Sequence, residues 1–189
     1  MFLLVLALVV FGVVHLIPAI PRAKAWATQQ LGKSYGPVYG VLSLLLLIAT
    51  IMAFRNATTS ELYAVPSFGR YANFILSLIA FILIGVFMFR GSWRNSLKYP
   101  MGLAVVVWAV GHMLANGDSR SLVFFGGFTV IAVLQMFFAS RLVERQVSEV
   151  RGGHNLLSVL FGIAAYGVMA QIHGAVIGMP VVSIAGFTP

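Results

Sequence analysis

No cysteine occurs in the 189 residues, and only four Asp and Glu stand against twelve Lys and Arg. Without thiolates the chain cannot form iron–sulfur or Cys-ligated zinc sites, disulfides, a cysteine nucleophile or the C-x-x-C-H attachment of a c-type haem. H-E-x-x-H spacing is absent, which argues against a zinc hydrolase, and so is a phosphate-cradling P-loop. Charged residues are 8% of the chain and hydrophobic ones 60%, with a mean hydropathy of +0.99. That is far too little polar surface to cover a soluble globule, so the composition specifies an integral membrane protein. The net charge of +8 comes from cations placed singly between apolar runs. They read as topology signals and lipid-headgroup contacts, and nucleic-acid binding is not expected.

What is present organises around Tyr99 to Phe128, YPMGLAVVVWAVGHMLANGDSRSLVFFGGF. An apolar segment encloses His112, and Asn116-Gly117-Asp118 ends it with three strong turn-formers before a second apolar segment begins. The pattern predicts a membrane helix, a tight corner and a second membrane helix. An ionisable ring inside such a helix is costly to bury and by default faces the protein interior. Asp118 reads first as the N-cap of the following helix, and second as a proton-handling group near His112.

Phe2 to Ile20 is long enough to cross about 30 Å of hydrocarbon and holds His15 as its one ionisable side chain. Ala23-Lys24-Ala25 resembles a signal-peptide cleavage site, but no Lys or Arg precedes the apolar run, which favours a retained helix. Pro18 and Pro21 break it, and Arg22 to Lys33 has the pattern of an interfacial segment. Further spans are expected at about 36–54, 71–89, 100–116, 121–140 and 155–177. A polar loop runs from Arg55 to Arg70, and Arg141 to His154 reads as a solvated helical extension ended by Gly152-Gly153. The expected fold is therefore all-α: one domain, a polytopic membrane bundle of about six transmembrane helices. Loops after spans one, three and five hold nine Lys and Arg against three on the other side (Arg55, Arg70, Arg120), which puts both termini outside. Gly102, Ala109, Gly111, Gly126, Gly127 and Gly162 are among the small residues that let helix backbones approach.

The chemistry comes from a short set: His15, His112, His154, His173, nearby aromatics and Asp118. One intramembrane His is as readily a satisfied structural group as a ligand, but three in or at the ends of apolar spans raise the case for a noncovalent haem. Trp108, one turn before His112, is either a wall for a planar ligand or ordinary packing. His154, beside a charged loop, reads as a surface residue. By depth, His112 and His173 match each other, each near the outer end of a span running the same way. His15 sits near the inner end of the first.

HLIPAIPRAKA at His15–Ala25, the Tyr99–Phe128 segment and HGAVIGMP at His173–Pro180 resemble the NnrU family of bacterial membrane proteins over nearly the whole chain. The resemblance implies a bacterial inner-membrane protein associated with denitrification and related to the zeta-carotene isomerases, which hold a b-type haem. It also implies that His15 and His112 occupy the places of the histidines proposed as haem ligands in the isomerase branch. Tyr99 departs from the His-Pro that family members commonly carry, and the isomerases' Cys has no counterpart around Trp108. Three functions follow as alternatives. The chain is a haem-b protein of nitrogen-oxide or electron-transfer metabolism, a haem-dependent isomerase of a polyene, or a haem-free structural or assembly subunit. The expected partners are membrane lipid, with complex subunits or further copies of the chain beside it.

Overall fold

The computed structural model describes residues 1–142 and 147–179. Among them the chain is helical, without strands. Helix α1 (Phe2–Leu16) ends in a 3-10 turn at Ile17–Ala19, which holds Pro18. Pro21 then opens α2 (Pro21–Leu31) at the first helical position, where a missing N–H has no partner to lose. A second 3-10 turn leads into α3 (Tyr35–Asn56), followed by α4 (Gly69–Met88), the short α5 (Ser92–Ser96), α6 (Pro100–Ala115), α7 (Ser119–Leu142) and α8 (His154–Ile177). Five stretches are long and apolar enough to cross a membrane: Phe2–Ala19, Pro21–Asn56, Gly69–Met88, Ser119–Leu142 and His154–Ile177. The apolar α6, with 16 residues, is shorter. At 1.5 Å per residue it reaches about 24 Å. The fold is the polytopic helical bundle the hydropathy pattern requires.

The helices pack as a row, with α3 on α1, α1 on α7, α7 on α6, α6 on α4, and α4 on α8. Sequence spacing shows why. On α1 the buried residues Leu4, Leu8, Phe11 and Gly12 repeat at helical intervals and make one stripe, which meets Phe124, Phe125 and Phe128 of α7 in a common core with Phe54. The α4–α8 contact instead depends on small residues. A Cβ on Gly162 would lie 2.6 Å from Ile82 Cα, and Gly85 faces the Ser158 backbone just as closely. Gly111 brings α6 equally near α4, where its Cβ would meet Asn73 Oδ1 at 2.8 Å. Gly126 and Gly167 face open space, so not every small residue marks a contact.

The bundle has two distinct ends. At one, Arg151 N–H donates to the Arg90 carbonyl at 2.8 Å, and Asn95 pairs with the Ser148 backbone in both directions. At the other, which carries the Asn116–Asp118 corner, Ser119 N–H donates to the Ser60 carbonyl and Arg55 Nη1 donates to the Val176 carbonyl at 3.2 Å. That last bond brings the ends of α3 and α8 together, so the row of helices closes at the corner end.

The expected helical extension after α7 is corrected. Residues 147–151 are not helical and instead lie on the α4–α6 connection, where the bonds from Asn95 and Arg90 replace intrahelical ones. Gly153, at φ 77°, begins α8 where the sequence placed a helix end. The pair Glu144-Arg145 lies outside the described residues. His154 is half-buried and not a free surface group: its Nδ1 accepts from Arg90 N–H at 3.1 Å and its ring meets Phe89.

Candidate functional site

Helix α6 presents Trp108, His112 and Asn116 one turn apart on one side, toward the corner end. The His112 ring stacks on Phe125 of α7, centroids 4.5 Å apart and planes 26° from parallel, and Trp108 lies against it at 5.0 Å. Its Nδ1 is 2.9 Å from the Trp108 carbonyl oxygen. A carbonyl only accepts, so Nδ1 carries the proton and Nε2 keeps its lone pair. Trp108 itself is wedged among Phe124, Phe125 and Phe128, so its face belongs to the core.

From α8, His173 comes to the same place. Its ring centroid is 6.5 Å from that of His112, and the two planes are 19° from parallel. The Gly178 turn at φ 86° folds the chain back after α8, and the Met179 carbonyl lies 2.6 Å from His173 Nδ1. This bond fixes the same tautomer as in His112. Among the described residues neither Nε2 has a hydrogen-bond partner.

His15 is elsewhere. It stacks on Phe11 at 3.9 Å and lies 5.9 Å from the Tyr39 ring, near the end of the bundle opposite the corner. The rings of Phe11, Phe128 and Trp108 stand in sequence between it and His112. Its Nδ1 is buried and has no hydrogen-bond partner among the described residues. The structure therefore brings together His112 and His173, the pair matched by depth, and not His112 and His15, the pair implied by resemblance. Tyr99 precedes α6 at the end away from His112, so the departure at that position lies far from the paired imidazoles.

The corner beside the pair is held by side chains of the 57–68 loop. Asp118 Oδ1 accepts from Ser121 N–H at 3.0 Å, and Oδ2 from Ser121 Oγ at 2.6 Å, which is the cap expected of it. Thr59 Oγ1 donates to Oδ1 at 2.7 Å, and Arg120 stands 3.8 Å away. Burial raises the carboxyl pKa, but the Ser121 and Thr59 hydrogen bonds and the Arg120 charge outweigh it and hold the group below its ordinary value. The Tyr63 hydroxyl faces the carbonyls of Met113 and Asn116, left open where α6 stops. Arg120 lies over the Phe54 ring at 4.9 Å, with its buried Nε lacking a hydrogen-bond partner among the described residues. Arg55, the other cation here, touches Gly178 and Val176. Sequence reasoning counted these two arginines only as topology charges. Their positions, one just after the turn-formers and one at the end of a span, are the signal that could have singled them out.

Gly32-Lys33-Ser34-Tyr35-Gly36 has G-x-S-x-G spacing, but it forms an exposed 3-10 turn and the first turn of α3, with no preceding strand. A nucleophile elbow needs that strand. Among the described residues no three His, Cys, Asp or Glu side chains gather as metal ligands.

Fold and site together define a multi-pass membrane protein with two imidazoles facing each other between helices at one end of the bundle. The chain belongs to the NnrU protein family, whose model matches residues 3–181. No curated protein and no solved structure matches it.

Proposed function

We propose that this NnrU-family membrane protein binds one b-type haem through His112 and His173, in the bacterial inner membrane with both termini periplasmic, and serves nitrogen-oxide or electron-transfer metabolism. The observation that carries the reading is the matched pair of rings 6.5 Å apart, each with Nδ1 on a backbone carbonyl. Anchoring one ring nitrogen is how proteins orient a metal-ligating His and leave the other nitrogen basic. Two imidazoles sharing one metal at about 2 Å from each nitrogen have centroids roughly 6 Å apart, so the donor set fits. Arg55 and Arg120 at the same end supply the positive charge that haem carboxylates require.

A bound b-type haem supplies one-electron chemistry. The chain's own contribution is to hold the two imidazoles in one tautomer and exclude water from their side with Phe125 and Trp108. The nine-to-three split of Lys and Arg supports the orientation, because both connections that meet near Arg90 and Arg151 belong to the cation-rich side. The test is the absorption spectrum of protein purified in detergent from cells supplied with haem. A Soret band with low-spin reduced bands is expected, at one haem per chain. Its absence from the unmodified protein would leave a haem-free structural subunit as the reading.

A further inference from the structure

We propose that α2 and the groove along α3 form a binding site for an anionic phospholipid, its headgroup on Arg22, Lys24 and Lys33 and one acyl chain lying along α3. Length places α2 at the membrane surface. The stretch Pro21–Asn56 is apolar enough to cross a membrane, but as one helix its 36 residues would reach about 54 Å, against about 30 Å of hydrocarbon. The chain divides it instead. Gly32, at φ 55°, holds a conformation that residues with a Cβ rarely adopt, and it sets α2 apart from α3. The 22 residues of α3 are enough to span the core alone. Helix α2 is left at the boundary, where it packs on the Ile17–Ala19 turn and meets the start of α3.

Its side chains suit that place. Ala27 is buried, whereas Trp26 is 64% exposed and Arg22, Lys24 and Lys33 are exposed as well. No Asp or Glu precedes Glu61 in the chain, and among the described residues none of the three cations pairs with a carboxylate. A basic segment without its own counter-charge attracts anionic headgroups, and an exposed indole sits at headgroup level. Arg22, Trp26 and Gln30 share one stripe of α2, and Lys24, Ala27 and Leu31 the next. Each stripe begins with a cation and continues into residues that line a cleft between α1, α2 and α3.

The cleft and its continuation suit a hydrocarbon chain. The cleft has a volume of about 200 Å³, and its Val38 and Leu42 also line a groove of about 370 Å³ with Pro37, Val41 and Leu45. Every residue of that groove is apolar, and Val41 and Leu45 are 60% and 57% exposed. From Tyr35 to Leu45 the two cover about 15 Å of α3, the hydrocarbon depth of one leaflet. An acyl chain has no hydrogen bond to lose on such a lining. A second copy of this chain fits poorly, because a two-fold contact on this face would set Arg22, Lys24 and Lys33 beside the same cations of the other copy with no carboxylate among them.

None of these residues belongs to the imidazole pair, so the inference stands apart from haem binding. The experiment places the full chain in nanodiscs that mix phosphatidylglycerol and phosphatidylcholine, with brominated acyl chains on one lipid or the other. It follows the part of the tryptophan emission that is lost in Trp26→Phe. Brominated phosphatidylglycerol should quench this emission with a preference of about five-fold or more over brominated phosphatidylcholine, the effect of one well-placed cation at an anionic surface. Arg22→Gln, Lys24→Gln and Lys33→Gln should each lower the preference, and the triple variant should lose it. Val38→Phe with Leu42→Phe, which narrows the groove at two exposed positions, should reduce quenching by both lipids and leave the helical circular dichroism unchanged. Equal quenching by the two lipids, or a preference that persists in the triple variant, overturns the proposal. Quenching unchanged in the groove variant overturns it too, because surface charge alone would then hold the lipid. Dimers of the unmodified chain that the groove variant turns into monomers would assign this face to a second copy and overturn it likewise.

Discussion

Two histidine environments in one apolar bundle differ in a way that residue type does not reveal. At the corner end, His112 and His173 each rest Nδ1 on a backbone carbonyl, and their rings lie 6.5 Å apart and nearly parallel. At the opposite end, His15 is positioned by stacking on Phe11 and lies beside the Tyr39 ring. The first arrangement is a pair of imidazoles oriented by backbone carbonyls, which is what the proposed haem site rests on. The second is a single imidazole held between Phe11 of its own helix and Tyr39 of α3. What separates them is the neighbouring backbone and rings, not the imidazole.

The contrast breaks most visibly in haem content. His112→Ala and His173→Ala should each lose most of the Soret absorbance per chain, whereas His15→Ala should retain it. If His15→Ala loses haem while His173→Ala keeps it, the resemblance-implied pairing is right and the pair seen here is not the ligand set.

Packing provides the next largest effect. Gly162→Leu should destabilise the bundle by about 1–3 kcal/mol, because the new side chain meets Ile82 backbone and cannot be accommodated by a rotamer change. By moving α8 it should also separate His173 from His112 and weaken haem retention. Gly127→Ala is the control, since it meets only the flexible end of Leu8. Thermal unfolding in detergent, followed by absorbance and by fluorescence, separates the two ends.

Acidification should act on the corner end selectively. The Asp118 carboxyl has a folded-state pKa below its ordinary value, so its contribution is complete above the unfolded value of about 3.9 and is lost as pH falls through the folded one. The unmodified protein should therefore lose more stability than Asp118→Asn between pH 5 and 3. At neutral pH, Asp118→Ala should cost about 1 kcal/mol, the worth of an N-cap. The smallest effect belongs to Tyr63→Phe, about 1 kcal/mol or less from a hydroxyl serving the open carbonyls of α6. Melting curves that coincide with the unmodified protein in both variants would remove the corner from the account. Reporter fusions at Pro189, outside the described residues, check the orientation; a periplasmic signal is expected.

Hydropathy and turn chemistry are properties of neighbouring residues, and for that reason the spans, the corner at Asn116–Asp118 and the Asp118 cap were legible in the sequence alone. So was depth, which follows from counting residues along a helix, and it favoured His173 as the partner of His112. Direction around the helix axis is different, since it depends on which neighbour each helix finds. The amino-acid order could not show that α8 packs on α4 through Gly162 and so swings His173 over α6. Nor could it show that Phe11, Phe128 and Trp108 fill the space between His15 and His112. Arg55 and Arg120, apart in sequence and counted as topology charges, share the corner end with the pair, where Arg55 ties the ends of α3 and α8 together. The approach of Tyr39 to His15 is likewise a tertiary fact, because it depends on how α3 packs on α1.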